Sequence, residues 1–445
     1  MGGASEIFKM KKVKKPKVIF QTPRGMADIL PQDQGIWKTI LEKAREIAEF
    51  YNFSKIETPL VESTDLFVRT IGEATEVVEK QMFSFKTKGG DNLTIRPEGT
   101  PPVARAFIQN RLVNLGLPSK LYYEGPMLRY ERPQKGRGRA FHQFGIEIFG
   151  EVDPIYDAQV ILITFIILKE LKIKDINIQI NTLGCRSCRS QWQQRLKTFY
   201  QTRLNSLCED CKIRLEKNPL RLLDCSDNSC IAIKKEAPIG LDNLCNACND
   251  HFKKVLEFIE ELKLPYVLNN YLVRGLDYYS RTVAEIWLDN TEFLGDNLNP
   301  SRFSLAGGGR YDYLIEMIGG KNTPAVGMAL GLERIVEVLK AKNISYLKRN
   351  PKVFLIQIGD SAKKQALSLI EEFRRSKIAI NEKLGRSSII AQLQAANKTG
   401  ASFALIFGQK EAFEGNIILR DMRSGVQETI PLEKIVPKLK KRLSK

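Results

Sequence analysis

Residues Gly125–Gly150 read GPMLRYERPQKGRGRAFHQFGIEIFG. Apolar and aromatic runs on both sides of the polar segment RYERPQKGRGR predict two antiparallel strands joined by a turn-like loop, with Arg129 and Arg139 at its flanks. Upstream, LTIRPEGT and KLYYEGPMLRYERP repeat the alternation of short apolar runs with turns, so residues 91–150 predict an antiparallel sheet. A helix over Ile155–Leu171 and a strand over Ile176–Asn181 follow. Before the sheet, Ile36, Trp37, Ile40, Leu41, Ala44, Ile47, Ala48 and Tyr51 recur at three- and four-residue spacing, which predicts one helix with one buried stripe. Phe53–Pro59 then reads as a short strand stopped by proline.

The composition changes at Gly184. All eight cysteines fall between Cys185 and Cys248, in polar, helix-forming sequence. This predicts an inserted, mostly helical subdomain over 184–270. Core-like β sequence resumes at Tyr271 (YLVRGLDYYSRTVAEIWL) and runs on to a helix at Gly331–Lys340. After a linker at Lys348–Pro351, VFLIQIG, a helical stretch Ala362–Phe373, a strand near Ile378, a helix Ile389–Thr399 and FALIFG alternate as in a small α/β domain. The class is α+β, with a basic arm at 1–20, a main domain from 21–183 and 271–345, the insertion, and a last domain at 351–445.

A chain of 445 residues has room for roughly two to four domains. Lysine and arginine number 69 against 51 aspartate and glutamate, a formal charge of +18. Such a field attracts nucleic acid or an anionic membrane, although a lysine-rich proteome would give the same count. The longest apolar run, Val160–Leu168 with Thr164 inside it, is too short to cross a bilayer. No stretch near the N-terminus has signal-peptide character, so a cytoplasmic location without membrane attachment is expected, where thiols stay reduced.

No Walker-type loop and no GxGxxG opening a helix after a strand occur in the middle of the chain. With two histidines in all, His142 and His251, a histidine-centred site is poorly supplied. Arginines stand in unusual places instead. Arg274 lies inside an otherwise apolar strand, and Arg334 follows the apolar GMALGLE. An arginine facing a core needs an anion, either a bound phosphate or carboxylate or a structural partner such as Glu131 or Glu333. Several such arginines favour a polyphosphate site.

Six segments together resemble the histidyl-tRNA synthetases, a family of class II aminoacyl-tRNA synthetases. TPRGMADILP (Thr22–Pro31) resembles their opening, and IETPLVE (Ile56–Glu62) the first class II motif, whose proline lies at a dimer interface. Gly125–Gly150 resembles the second motif and GMALGLERI (Gly327–Ile335) the third. LVRGLDYYSRT (Leu272–Thr282) and AGGGRYDYL (Ala306–Leu314) are particular to the histidine enzymes. The resemblance implies a class II antiparallel sheet with flanking helices and a C-terminal anticodon-binding domain containing Gly408, Gly415 and LRDMRSG. It implies ATP, magnesium, L-histidine and tRNA(His) as ligands, and a homodimer. By similarity, Arg129 contacts the α-phosphate and Arg334 the γ-phosphate of ATP, while Glu131 and Arg137 complete the ATP site. Arg274 bridges the histidine carboxylate and the α-phosphate, making it and Arg129 the catalytic pair. Glu98, Thr100 and Gln143 hold the α-ammonium, Glu147 and Tyr279 the imidazole nitrogens, and Tyr311 closes the pocket. Arg132 and Gln134 meet the tRNA acceptor end.

Cys185/Cys188, Cys208/Cys211 and Cys245/Cys248 are CxxC pairs, and Cys225 and Cys230 are separated by SDNS. Paired thiolates at this spacing suit structural zinc, remote from an adenylation site without cysteine, and the insertion looks short of apolar residues for a core of its own. Buried free thiols are the alternative. Two rival functions are a synthetase for another amino acid and a catalytically inactive relative that regulates ATP phosphoribosyltransferase. RGLDYY and GGGRYD argue against the first, and the last domain argues against the second.

Overall fold

The computed structural model describes residues 20–289, 303–343, 351–385 and 388–444. The expected N-terminal arm, but for Phe20, and the linker before Pro351 lie outside the described residues. The chain forms two compact units, 1–346 and 347–445.

An eight-stranded sheet organises the first unit. Its strands run in the order Ser54–Lys55, Ser119–Leu128, Ala140–Phe149, Ala325–Gly331, Ser304–Arg310, Ser280–Leu288, Ile176–Thr182 and Tyr266–Leu268. The six from Ser119–Leu128 to Ile176–Thr182 pair antiparallel, and only the two short edge strands pair parallel. Strand side chains alternate between faces, and the two faces here differ in kind. Tyr122, Phe144, Ile146, Ile148, Ala284, Ile286, Val326 and Met328 pack on one face with the helices Gln34–Phe50, Ile155–Glu170 and Leu332–Ala341. The predicted stripe of the first helix is its buried face: Ile36, Trp37, Ile40, Ala44, Ile47 and Ala48. The helix Ile155–Glu170 is apolar on all sides because it is buried between that helix and the sheet.

The other face is glycine-rich. In register across five strands stand Tyr123, Gly145, Ala329, Gly307 and Glu285. The next row holds Glu147, Gly327 and Gly309. Glycines there clear a floor on which larger side chains from elsewhere can lie.

Two expected strands are corrected. Phe53–Pro59 contributes only Ser54–Lys55, because Pro59 cannot donate to a ladder and the chain leaves the sheet. Tyr271–Tyr279 is irregular, and its strand begins at Ser280, so Arg274 sits in a loop rather than inside a strand. The insertion is helical, over Arg186–Gln201, Glu209–Lys217, Asn228–Lys234 and Asn246–Glu261. It is not short of core. Trp192, Leu196, Tyr200, Leu215 and Leu220 are buried in one cluster with Phe67, Phe107 and Tyr278. The small count of apolar residues near the cysteines misled because the insertion packs on the main domain as well as on itself.

The second unit has a five-stranded sheet in the order Ile380–Glu382, Val353–Gln357, Phe403–Phe407, Asn416–Asp421, Gln427–Pro431. The first three strands are parallel and the last two form an antiparallel hairpin, an addition to the expected alternation. Among the described residues no helix is long and apolar enough to cross a membrane.

Candidate active site

A cavity of about 660 Å³ opens on the glycine-rich face. Its wall includes Glu98, Thr100, Gln143, Tyr279, Arg129, Glu131, Arg137, Arg274 and Arg334, nine of the residues singled out from sequence. Glu147 and Tyr311 lie just outside the lining. Arg132 and Gln134 also lie outside it, both exposed on the loop between the strands Ser119–Leu128 and Ala140–Phe149, where Gln134 pairs with Arg137 through backbone hydrogen bonds.

Two buried carboxyls dominate one part of the chemistry. Glu98 accepts a hydrogen bond from the Tyr278 hydroxyl at 3.0 Å, while its other oxygen is buried without a partner. Burial pushes its pKa up to about 7, against the pull of Arg129, of the Tyr278 bond and of Arg274. Glu147 accepts from the Thr100 hydroxyl at 2.7 Å and from the Tyr311 hydroxyl. Burial raises it to about 8, although both hydrogen bonds pull the other way. Its carboxyl lies directly under the wall residue Gly327, where a Cβ would stand 2.6 Å from Glu147 Cδ. Only glycine lets that carboxyl lie so near the cavity. Carboxyls held this far above their ordinary range gain from a cation or a strong donor placed against them.

The arginines are prepared for anions. Arg274 pairs with Glu285, whose other oxygen accepts from Trp287 Nε1 at 2.7 Å, while Arg274 Nε is buried without a partner. The guanidinium lies over Gly307, where a Cβ would come within 2.8 Å of Arg274 Cζ. Arg129 donates to the Pro97 carbonyl at 2.8 Å and stands 4.0 Å from Glu131, which also takes Arg137. Arg334, in the first turn of its helix, is held below the usual arginine range by burial and by the nearby Arg137. Crowded cations of this kind are relieved by a bound polyphosphate.

Sequence reasoning missed Tyr278, Glu285 and Tyr123, whose buried hydroxyl has no hydrogen-bond partner. Glu285 could have been found from its charge among the apolar residues of VAEIWL. Glu333, considered as an arginine partner, instead accepts from the backbone N–H of His142 at 2.8 Å and meets its ring at 2.8 Å. Arg310 of GGGRYD is fully buried and pairs with Asp157 on the far face, so it serves the fold. Cys225 lines the cavity, which corrects the expectation that no cysteine stands at this site. The loop that follows the helical turn Pro219–Asp224 carries it there.

Known proteins show the family. A family model described as histidyl-tRNA synthetase matches residues 25–335, and one described as an anticodon binding domain matches 352–442. The histidine–tRNA ligase of Dehalococcoides mccartyi strain 195 is 42% identical over 426 residues, 96% of this chain and all of that protein. That of Desulforamulus reducens is 41% identical over 94% of this chain and 99% of its own length. The apo histidyl-tRNA synthetase of S. aureus superposes with a TM-score of 0.78 at 32% identity, covering 95% of this chain and 100% of that one. With full-length relatives of this similarity and both component domains matched, the chain belongs to the histidyl-tRNA synthetase family.

Proposed function

We propose that this aminoacyl-tRNA ligase activates L-histidine with ATP to histidyl-adenylate and transfers it to the 3′ end of tRNA(His). The observation that carries the reading is one cavity bounded by two buried carboxyls, Glu98 and, beneath Gly327, Glu147, and by the four arginines 129, 137, 274 and 334. The partnerless oxygen of Glu98 suits the α-ammonium of an amino acid, with Thr100 and Gln143 beside it. Glu147 and Tyr279 suit an imidazole, and Tyr311 holds the Glu147 carboxyl in place. A pocket built from such groups rejects apolar isosteres, which would leave them unpaired.

The histidine carboxylate is already ionised, so attack on the α-phosphorus of ATP needs no strong base. The chain supplies position and cations: Arg274 for the carboxylate and α-phosphate, Arg129 for the α-phosphate, Arg334 with Arg137 for the outer phosphates. Glu131 and Glu285 line the wall and would hold magnesium, which when bound neutralises phosphate charge. Arg132 and Gln134, on the exposed loop, are assigned to the acceptor end, and 351–445 to the anticodon. The eight cysteines are assigned structural zinc, and the enzyme a cytoplasmic location.

A homodimer is part of this reading. Leu60 of the first motif and the apolar Val113, Leu115 and Leu117 are exposed, and a two-fold partner would cover such residues. Sedimentation at micromolar concentration should give a dimer, and a monomer there would refute it. The activity is tested by pyrophosphate exchange across amino acids. Histidine alone should drive it, and exchange driven by threonine, proline or glycine would displace the reading.

A further inference from the structure

Resting on the assignment of structural zinc above, we propose that the eight cysteines form two separate four-thiolate zinc sites with different tasks. One is Cys185, Cys188, Cys245 and Cys248, which ties the first helix of the insertion to its last. The other is Cys208, Cys211, Cys225 and Cys230, which fixes a wall of the adenylation cavity. Sequence spacing left the pairing open. The fold sorts the cysteines into these two groups, and within each group all four sulfurs lie within 4.8 Å of one another.

The spacing within the groups is that of a metal site. Zinc–sulfur bonds of about 2.3 Å in a tetrahedron place sulfurs roughly 3.8 Å apart. Cys185 and Cys188 Sγ are 3.6 Å apart, and Cys208 and Cys225 Sγ 3.8 Å.

The backbone around the sulfurs is arranged for thiolates. Cys185 and Cys245 each cap the start of a helix, with Cys188 and Cys248 in the first turns. The Cys185 N–H points at Cys248 Sγ at 3.2 Å and the Cys245 N–H at Cys188 Sγ at 3.1 Å, a reciprocal pair. In the second group Cys208 caps a helix, its N–H meets Cys230 Sγ at 3.4 Å, and the Asp227 N–H meets Cys225 Sγ at 3.4 Å. Helix starts and N–H donors aimed at sulfur stabilise the negative charge of a bound thiolate.

The positions of the groups separate their tasks. The first joins Cys188 and Cys245, 57 apart in sequence, at the starts of the first and last helices of the insertion, so a metal there closes the chain between those two helices. The second has Cys225 in the cavity wall together with Arg221, Leu223, Asp224, Ser226 and Ile231, which flank its ligands in the chain. Asn218, just before this wall segment, donates to Asp277 of RGLDYY at 2.8 Å. Losing the second metal therefore loosens the wall against which histidine and ATP pack.

Elemental analysis of the full-length chain purified without chelator, with cobalt substitution and histidine-dependent pyrophosphate exchange, tests both parts. Two zinc ions per chain are expected in the unmodified protein, and one in each of Cys188→Ser/Cys248→Ser and Cys211→Ser/Cys230→Ser. Cobalt should titrate to two equivalents with the charge-transfer bands of four-sulfur coordination, which decides the matter even if a variant fails to fold. Fewer than two four-sulfur equivalents, or a folded variant that keeps both metals or loses both, overturns the pairing. The second variant should raise KM for histidine or ATP by about fivefold or more, and more than the first does. Equal KM values in the two variants overturn the wall assignment. Two zinc ions in a chain with no histidine-dependent exchange would refute the ligase reading while leaving the metal sites standing.

Discussion

Arg274 is the residue on which the proposed chemistry leans most. Negative charge accumulates around the α-phosphoryl group chiefly in the transition state, so a guanidinium there lowers the barrier more than it aids binding. Arg274→Ala should cut kcat for pyrophosphate exchange by about a hundredfold or more while changing KM for ATP far less. A loss confined to KM, with kcat intact, would remove Arg274 from that role. Its candidacy could be read from an arginine amid apolar residues, but its setting could not, since the loop is held by Glu285 and the Gly307 floor, both outside the loop itself. Glu147 gives a second test through pH. Its folded pKa of about 8 lies well above that of an exposed glutamate, so the folded state holds a proton that the unfolded state has released. The contribution is fully favourable below the unfolded pKa of roughly 4.3 and is lost as pH rises through about 8. Glu147→Gln has no such proton to lose. In ligand-free enzyme the melting temperature of this variant should climb relative to the unmodified protein between pH 5 and 8. Parallel curves across that range would mean that Glu147 is not held protonated.

Elements were legible where a single period decided them. The helix Gln34–Phe50 followed from its three- and four-residue spacing, and the strands Ser119–Leu128 and Ala140–Phe149 from their runs around a polar loop. The segments 53–59 and 271–279 misled for a common reason. Apolar and aromatic residues in both serve burial without ladder pairing, and composition alone does not separate the two. The insertion misled in the opposite sense, because its core is shared with the main domain. Trp192 belongs to the cluster that also holds Phe67 and Phe107 of the main domain. It is 1% exposed, its indole N–H donates to the Pro238 carbonyl at 2.8 Å, and Gly240 lies against it. Trp192→Ala should therefore destabilise the first unit on the order of 3 kcal/mol, seen as a melting temperature several degrees lower in zinc-loaded protein. A shift under a degree would mean that the metals, and not this packing, hold the insertion.

At the scale of the molecule, the net charge of +18 and the two compact units describe a division of labour. Every residue assigned to histidine and ATP stands before residue 346, and the cavity is lined entirely from that unit. The second unit has its own cores on both faces of its five-stranded sheet, with Leu355, Phe373 and Leu405 on one and Phe354, Ile356 and Ala404 on the other. Each unit thus has an apolar core of its own. Removing everything after Arg349 should leave histidine-dependent pyrophosphate exchange readily measurable, since every residue assigned to ATP and histidine lies in the first unit. Charging of tRNA should fall by roughly tenfold or more, because the removed unit matches an anticodon-binding domain and contacts to phosphate supply much of a protein's affinity for a nucleic acid. The two assays on one truncated protein separate the assignments. If exchange survives and charging is undiminished, residues 351–445 do not bind the tRNA. If exchange itself is lost from a chain that still melts cooperatively, the adenylation site depends on the second unit in a way that its lining does not account for.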